Sequence, residues 1–146
     1  MGVQAVSTTG IYCRPECSAR PNAENVSPFA SPVAAEAAGY RSCLRCRPDR
    51  HVRADALTNA PPAVIGAMSL ISDGYLDRFD EDALARRIGY STRQLRRLFE
   101  QYVGATPAFV ARSRRAHFAR RLLDESDFPM TVIARASGFG SVRQMN

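Results

Sequence analysis

The chain has 146 residues, 20 basic against 14 acidic, and a net charge of +6. That balance does not suit an acidic, self-solvating chain, and no apolar run approaches the roughly 18 residues of a membrane-spanning helix. Every basic residue is arginine, which suits phosphates and base edges because the planar guanidinium donates bidentately. The first six residues lack the basic-then-apolar pattern of a secretion signal, so the expected compartment is the cytoplasm, where thiols stay reduced.

The four cysteines, Cys13, Cys17, Cys43 and Cys46, form a C-x3-C pair and a C-x2-C pair with 25 residues between them. Two close pairs joined by a loop are what a tetrahedral site of four cysteines for one Zn(2+) requires, since each short spacing lets one turn present two sulfurs to the same ion. A pair of disulfides is the bland alternative, disfavoured by the expected compartment. All four lie in the first third of the chain, so two modules are expected: a zinc domain at 1–49, a linker at 50–62 and a helical domain at 63–146. About fifty residues bury little apolar surface, so the metal should carry much of the first module's folding energy.

In chain order, 3–9 is β-prone and reads as an edge strand leading into Cys13. Turn residues follow, with one short strand expected at 25–29. Ser31-Pro32 then opens an alanine-rich helix that Gly39 stops. His51 falls in the linker and stays outside the metal shell, because four thiolates already fill it. From Ala63 the pattern becomes helical, with Val64, Ile65, Met68, Leu70, Ile71 and Leu76 as the expected apolar face. Asp80 caps a helix at 81–88 with Ala85 and Ile88 inward, and Gly89 ends it. Ser91 caps a second at 92–102 with Leu95, Leu98 and Phe99 on one face. Two short helices around Gly89-Tyr90-Ser91 make a helix-turn-helix candidate. Arg93, Gln94, Arg96 and Arg97 of its second helix lie outside the apolar positions and are of the types that reach base edges and phosphates.

Thr106-Pro107 opens a long basic helix at 107–123, with Val110, Ala119 and Leu122 inward. A short helix at 131–136 and a cap at Ser141 follow. Leu84-Ala85-x-x-Ile88-Gly89-Tyr90-Ser91 is echoed by Ile133-Ala134-x-x-Ser137-Gly138-Phe139-Gly140-Ser141. The echo predicts paired helix-turn-helix units, the second cut short at Asn146.

Two family resemblances rest on these residues. Thr8-Thr9-Gly10-Ile11-Tyr12-Cys13-Arg14-Pro15-x-Cys17-x-Ala19-Arg20, then Glu24-Asn25-Val26, then Ala38-Gly39-Tyr40-Arg41-x-Cys43-x-Arg45-Cys46-x-Pro48 resembles the amino-terminal domain of the Ada adaptive-response family. Gly104-x-x-Pro107, Arg114, Ala119, Leu122-Leu123, Ile133-Ala134 and Gly138-Phe139 resemble the AraC/XylS-type DNA-binding domain. The fold class expected is thus a small α+β zinc domain followed by an all-α AraC-type domain with paired helix-turn-helix units. The chain departs from the family in lacking a helix and the start of the sheet before Thr8, and in placing Pro28 within a strand.

The Ada resemblance implies one Zn(2+) per chain held by Cys13, Cys17, Cys43 and Cys46. It implies that Cys13 accepts a methyl group from a methyl phosphotriester in double-stranded DNA, once per molecule. Thr9, Arg14, Arg20 and Arg45 match positions near the DNA backbone. Promoter DNA and RNA polymerase are the further partners implied, with activation of alkylation-damage genes as the output. The alternatives are the leading fragment of an Ada-like fusion to an alkylbase DNA glycosylase, and a regulator whose zinc is purely structural.

Overall fold

The computed structural model describes residues 2–50 and 57–146, so His51 and the first half of the expected linker, 51–56, lie outside the described residues. Four strands, β1 (Val3–Val6), β2 (Ile11–Cys13), β3 (Val26–Phe29) and β4 (Arg41–Ser42), form one sheet in the order β3-β1-β2-β4. β1 is antiparallel to both neighbours, and β2 runs parallel to β4. β1 is therefore an interior strand rather than the edge strand expected. Its buried Val3, Ala5 and Val6 need cover that a single hairpin partner cannot supply. Pro28 sits in β3 at the sheet's edge, a position where a missing N–H leaves no inner ladder bond unmade.

Helix α1 (Pro32–Ala37) closes this small core. Ser31 Oγ accepts from Ala34 N at 3.1 Å and caps it. Val3, Ala5, Tyr12 and Ala35 are the buried centre, with Phe29 and Tyr40 against them. So few apolar side chains cannot offset the ordering entropy of the module unaided.

The second module is helical: α2 (Pro62–Ser72), α3 (Glu81–Ile88), α4 (Thr92–Tyr102), α5 (Pro107–Glu125), α6 (Met130–Ala136) and α7 (Val142–Met145). Local capping sets the boundaries. Asp80, Ser91, Thr106 and Ser141 each accept a backbone N–H three residues on, at 2.8, 3.2, 3.2 and 3.1 Å. Each cap is worth about 1 kcal/mol. The main core joins Val64, Ala67, Ile71, Leu84, Ala85, Leu95 and Phe99 with residues of α5. Ile65, expected inside, is 48% exposed, and Ala67 takes the inward position instead. A second core under α6 holds Ala119, Ile133, Ala134 and Phe139.

The modules are not beads on a string. Val33 of α1 packs against the main helical core. Ser31 Oγ also donates to the Val103 carbonyl at 2.8 Å. Gly104, at φ +82°, sits so close that an added Cβ would lie 2.6 Å from Ala34 Cβ. Gly89 has a similar φ of +86° but open space around it. Gly104→Ala is therefore expected to cost about 1–3 kcal/mol more than Gly89→Ala in chemical denaturation, the excess being the overpacked contact between modules. Equal losses would mean that the two modules do not touch in solution.

Candidate metal centre and nucleic-acid face

β2 ends on Cys13, and β4 leads straight into Cys43. The register pairs Ile11 with Arg41 and Tyr12 with Ser42, and Cys43 N donates to the Tyr12 carbonyl at 3.0 Å. Strand pairing thus brings together two cysteines far apart in sequence. The remaining two arrive by tight turns. Cys17 N donates to Arg14 O, and Arg47 N to Cys43 O, each at 3.0 Å. The second turn leaves Arg47 at φ 44°, a conformation uncommon outside glycine.

All four sulfurs lie within 4.8 Å of one another, and all four thiols are free. A tetrahedral zinc with Zn–S bonds of about 2.3 Å places its sulfurs about 3.8 Å apart, so the donor set fits one Zn(2+). Three of the four cysteines are buried, Cys13 at 9% exposure, and Cys17 is half-buried.

The sulfurs are not equivalent. Arg14 N donates to Cys46 Sγ at 3.4 Å. Burial pushes the Cys43 thiol up, but backbone N–H groups of Cys46 and Arg45 and contacts to Cys13 and Cys46 outweigh it and bring the thiol down to about 7. Cys13 moves the other way: burial, a hydrogen bond to Cys43 and the charges of the other three push it well above its ordinary value. Burial likewise leads the causes that raise Cys46.

Of the four residues that the resemblance matches to the DNA backbone, Arg14 and Arg45 adjoin the cysteines. Thr9 is exposed in the turn between β1 and β2. Arg14 follows Cys13 and is half-buried, and Arg20 is exposed. Arg45, exposed between two ligands, donates to Ser18 Oγ at 3.3 Å.

On α4, all four expected contact residues are exposed, but two are already engaged. Gln94 Oε1 accepts from Ser91 N at 3.1 Å and completes a capping box. Arg96 is ion-paired with Glu81, whose second oxygen accepts from Ala108 N at 2.9 Å. Arg93 and Arg97 carry the outward charge of α4. The basic character of α5 is also partly spent inside the fold. Arg114 and Arg115 both reach Asp77 at 3.1 Å, and Arg112 lies over the Phe109 ring at 5.0 Å.

Sequence reasoning missed a half-buried polar junction between the modules. Glu36 accepts from Tyr12 Oη at 2.5 Å and from Ser113 Oγ, and meets His117 Nε2 at 2.7 Å. Burial works against the Glu36 carboxylate, but His117, Ser113 and Tyr12 together hold it below its usual range. Burial and Glu36 push the Tyr12 phenol up in turn. The partners lie 24, 77 and 81 residues apart, and no local pattern announces such a cluster. Among the described residues, no helix is long and apolar enough to cross a membrane.

Residues 3–49 match the family model of the metal binding domain of Ada, and residues 84–146 that of a helix-turn-helix domain. The chain is 43% identical over 145 residues to a probable bifunctional transcriptional activator/DNA repair enzyme AlkA of Mycobacterium tuberculosis, covering 99% of this chain and 29% of that protein. It is 36% identical over 135 residues to the bifunctional transcriptional activator/DNA repair enzyme Ada of Escherichia coli K12, covering 92% of this chain and 37% of Ada. The chain therefore spans only 29% and 37% of the length of these two curated relatives. Among solved structures, an AraC-type transcriptional regulator from Chromobacterium violaceum aligns with a TM-score of 0.52 at 33% identity, over 57% of this chain and 75% of that one. A four-cysteine centre built on paired strands, continuous with capped helix-turn-helix elements and matched on both sides by these relatives, places the chain in the Ada family, with an Ada-type zinc-binding domain joined to an AraC-type helix-turn-helix domain.

Proposed function

We propose that this chain removes methyl groups from methyl phosphotriesters in double-stranded DNA by transferring them to Cys13, and that the methylated form activates transcription at alkylation-response promoters. The observation that carries this reading is the convergence of four sulfurs within 4.8 Å, with Cys13 at the end of a strand and Arg14 beside it.

Zinc, when bound, keeps the cysteines as thiolates at neutral pH and offsets part of their charge. The chain's own groups then distinguish the sulfurs. Backbone N–H donors draw electron density from Cys43 and Cys46, which leaves Cys13 and Cys17 the better electron donors, and the resemblance to the Ada family assigns the methyl to Cys13 of the two. Attack forms the Cys13 Sγ–CH3 bond and breaks the CH3–O bond. The bonding pair leaves on oxygen and restores an ordinary phosphodiester, so no proton and no second substrate are needed. A thioether is a poor leaving group, which makes the reaction single-turnover. Arg14, Arg45 and the exposed Arg20 supply cations for the flanking phosphates.

Methylation removes one negative charge from the cysteine cluster, and with it part of the repulsion between this face and DNA. Arg93 and Arg97 of α4 then contribute promoter contacts, and RNA polymerase is the partner recruited. The test is intact mass and peptide mapping of the zinc-loaded chain after incubation with DNA bearing methyl phosphotriesters. One added methyl on Cys13 is expected. At fixed salt, the methylated form should bind promoter DNA more tightly than the unmethylated form. A chain that holds one zinc yet gains no methyl would favour a structural metal, and equal promoter affinities would remove the switch.

A further inference from the structure

Three residues adjacent in sequence to the cysteines are tied to one face of α5. Tyr12, before Cys13, donates to Glu36, which also binds Ser113 and His117. Ser42, before Cys43 and the register partner of Tyr12, accepts from Arg120 Nη1 at 2.7 Å. Arg47, after Cys46, donates to Asp124 at 3.0 Å, and Arg50 lies 3.6 Å from the same carboxylate.

Ser113, His117, Arg120 and Asp124 follow one another at four, three and four residues, which places them on a single helical stripe. The stripe is partly shielded from water around Ser113, His117 and Arg120, whereas the Asp124 side chain at its end is 41% exposed. The Glu36 side chain is 13% exposed and that of Asp49 only 3%, the latter 3.5 Å from Arg47 Nε and 3.8 Å from His117 Nδ1. Desolvated contacts of this kind depend on geometry more steeply than exposed ion pairs do.

We propose that this stripe of α5 is a latch through which the metal centre and the DNA-binding half sense each other. Docking holds Tyr12, Ser42 and Arg47 in place, and hence the backbone that carries Cys13, Cys43 and Cys46. Loss or alteration of the centre loosens those same anchors and frees α5, the helix that contacts both helical cores. The inference rests on zinc occupancy of the four cysteines and is independent of methyl transfer. Coupling between two sites is reciprocal, so if docking favours zinc, zinc must favour docking by the same factor.

Both directions are measurable on the full chain. Zinc affinity, by competition with a chelator, should fall by about fivefold or more in His117→Ala and in Arg120→Ala, the scale of an ordinary coupling. Arg112→Ala, on the same helix but stacked on Phe109, should leave it unchanged. His117→Gln should recover most of the loss, because its amide N–H can still donate to Glu36. In the wild-type chain, removal of zinc should speed amide hydrogen exchange across 113–124. Wild-type zinc affinity in both alanine variants, or exchange at 113–124 indifferent to zinc, would overturn the latch. Methyl acceptance is scored separately by mass, so failure of transfer and failure of the latch are told apart.

Discussion

Cys13→Ala abolishes methyl acceptance while the chain still binds zinc, and this is the largest single effect expected here. Cys17, Cys43 and Cys46 remain as three ligands, with water free to take the fourth position, an arrangement zinc accepts. The strand pairing that carries Cys13 does not depend on its sulfur, since the Cys43 N–H to Tyr12 carbonyl bond is backbone only. Cys17→Ala gives a different failure. Cys17 is reached through the tight turn at Arg14, and a turn bond alone anchors the following loop weakly. Three ligands remain here too, but without its sulfur anchor the loop after Cys17 is released, so zinc should be held more weakly than in Cys13→Ala and much of the module's order lost, although Cys13 is still present. The two variants separate nucleophile from ligand when scored by zinc content and by mass after exposure to methylated DNA. A methyl group found on another cysteine of Cys13→Ala would show that the acceptor has been misassigned.

Stripping the metal from the wild-type chain is expected to unfold residues 3–49 and spare the helical module. The four-stranded sheet has a buried centre of only Val3, Ala5, Tyr12 and Ala35. Structural zinc in modules of this size supplies about 10–16 kcal/mol of apparent binding free energy at neutral pH. The helical core of Val64, Ile71, Leu84, Leu95 and Phe99 needs no metal. Chelation should abolish the dispersed amide signals of the sheet while helical circular dichroism persists. A metal-free chain that keeps its sheet signals would show that side-chain packing alone suffices. Loss of both modules together would mean that the contacts at Ser31, Glu36 and Gly104 bind them into one cooperative unit.

The features legible in the amino-acid sequence by itself are those governed by neighbours within a few residues. The spacing of Cys13, Cys17, Cys43 and Cys46 announced a four-sulfur centre, because a short turn is all that each pair needs. Ser31, Asp80, Ser91, Thr106 and Ser141 stand at helix starts for an equally local reason: each hydroxyl or carboxylate reaches an N–H three residues on. Tertiary structure alone decided the rest. β1 became an interior strand because β3, some twenty residues on, covers its second edge. Arg96, still exposed on α4, was engaged by Glu81, fifteen residues earlier in the chain. Glu36 found its partners only once α1 lay against α5, where a desolvated carboxylate must be met by donors whatever their distance in sequence. Local hydrogen bonds can be read from spacing, whereas burial depends on which surfaces meet, and that is a property of the whole fold.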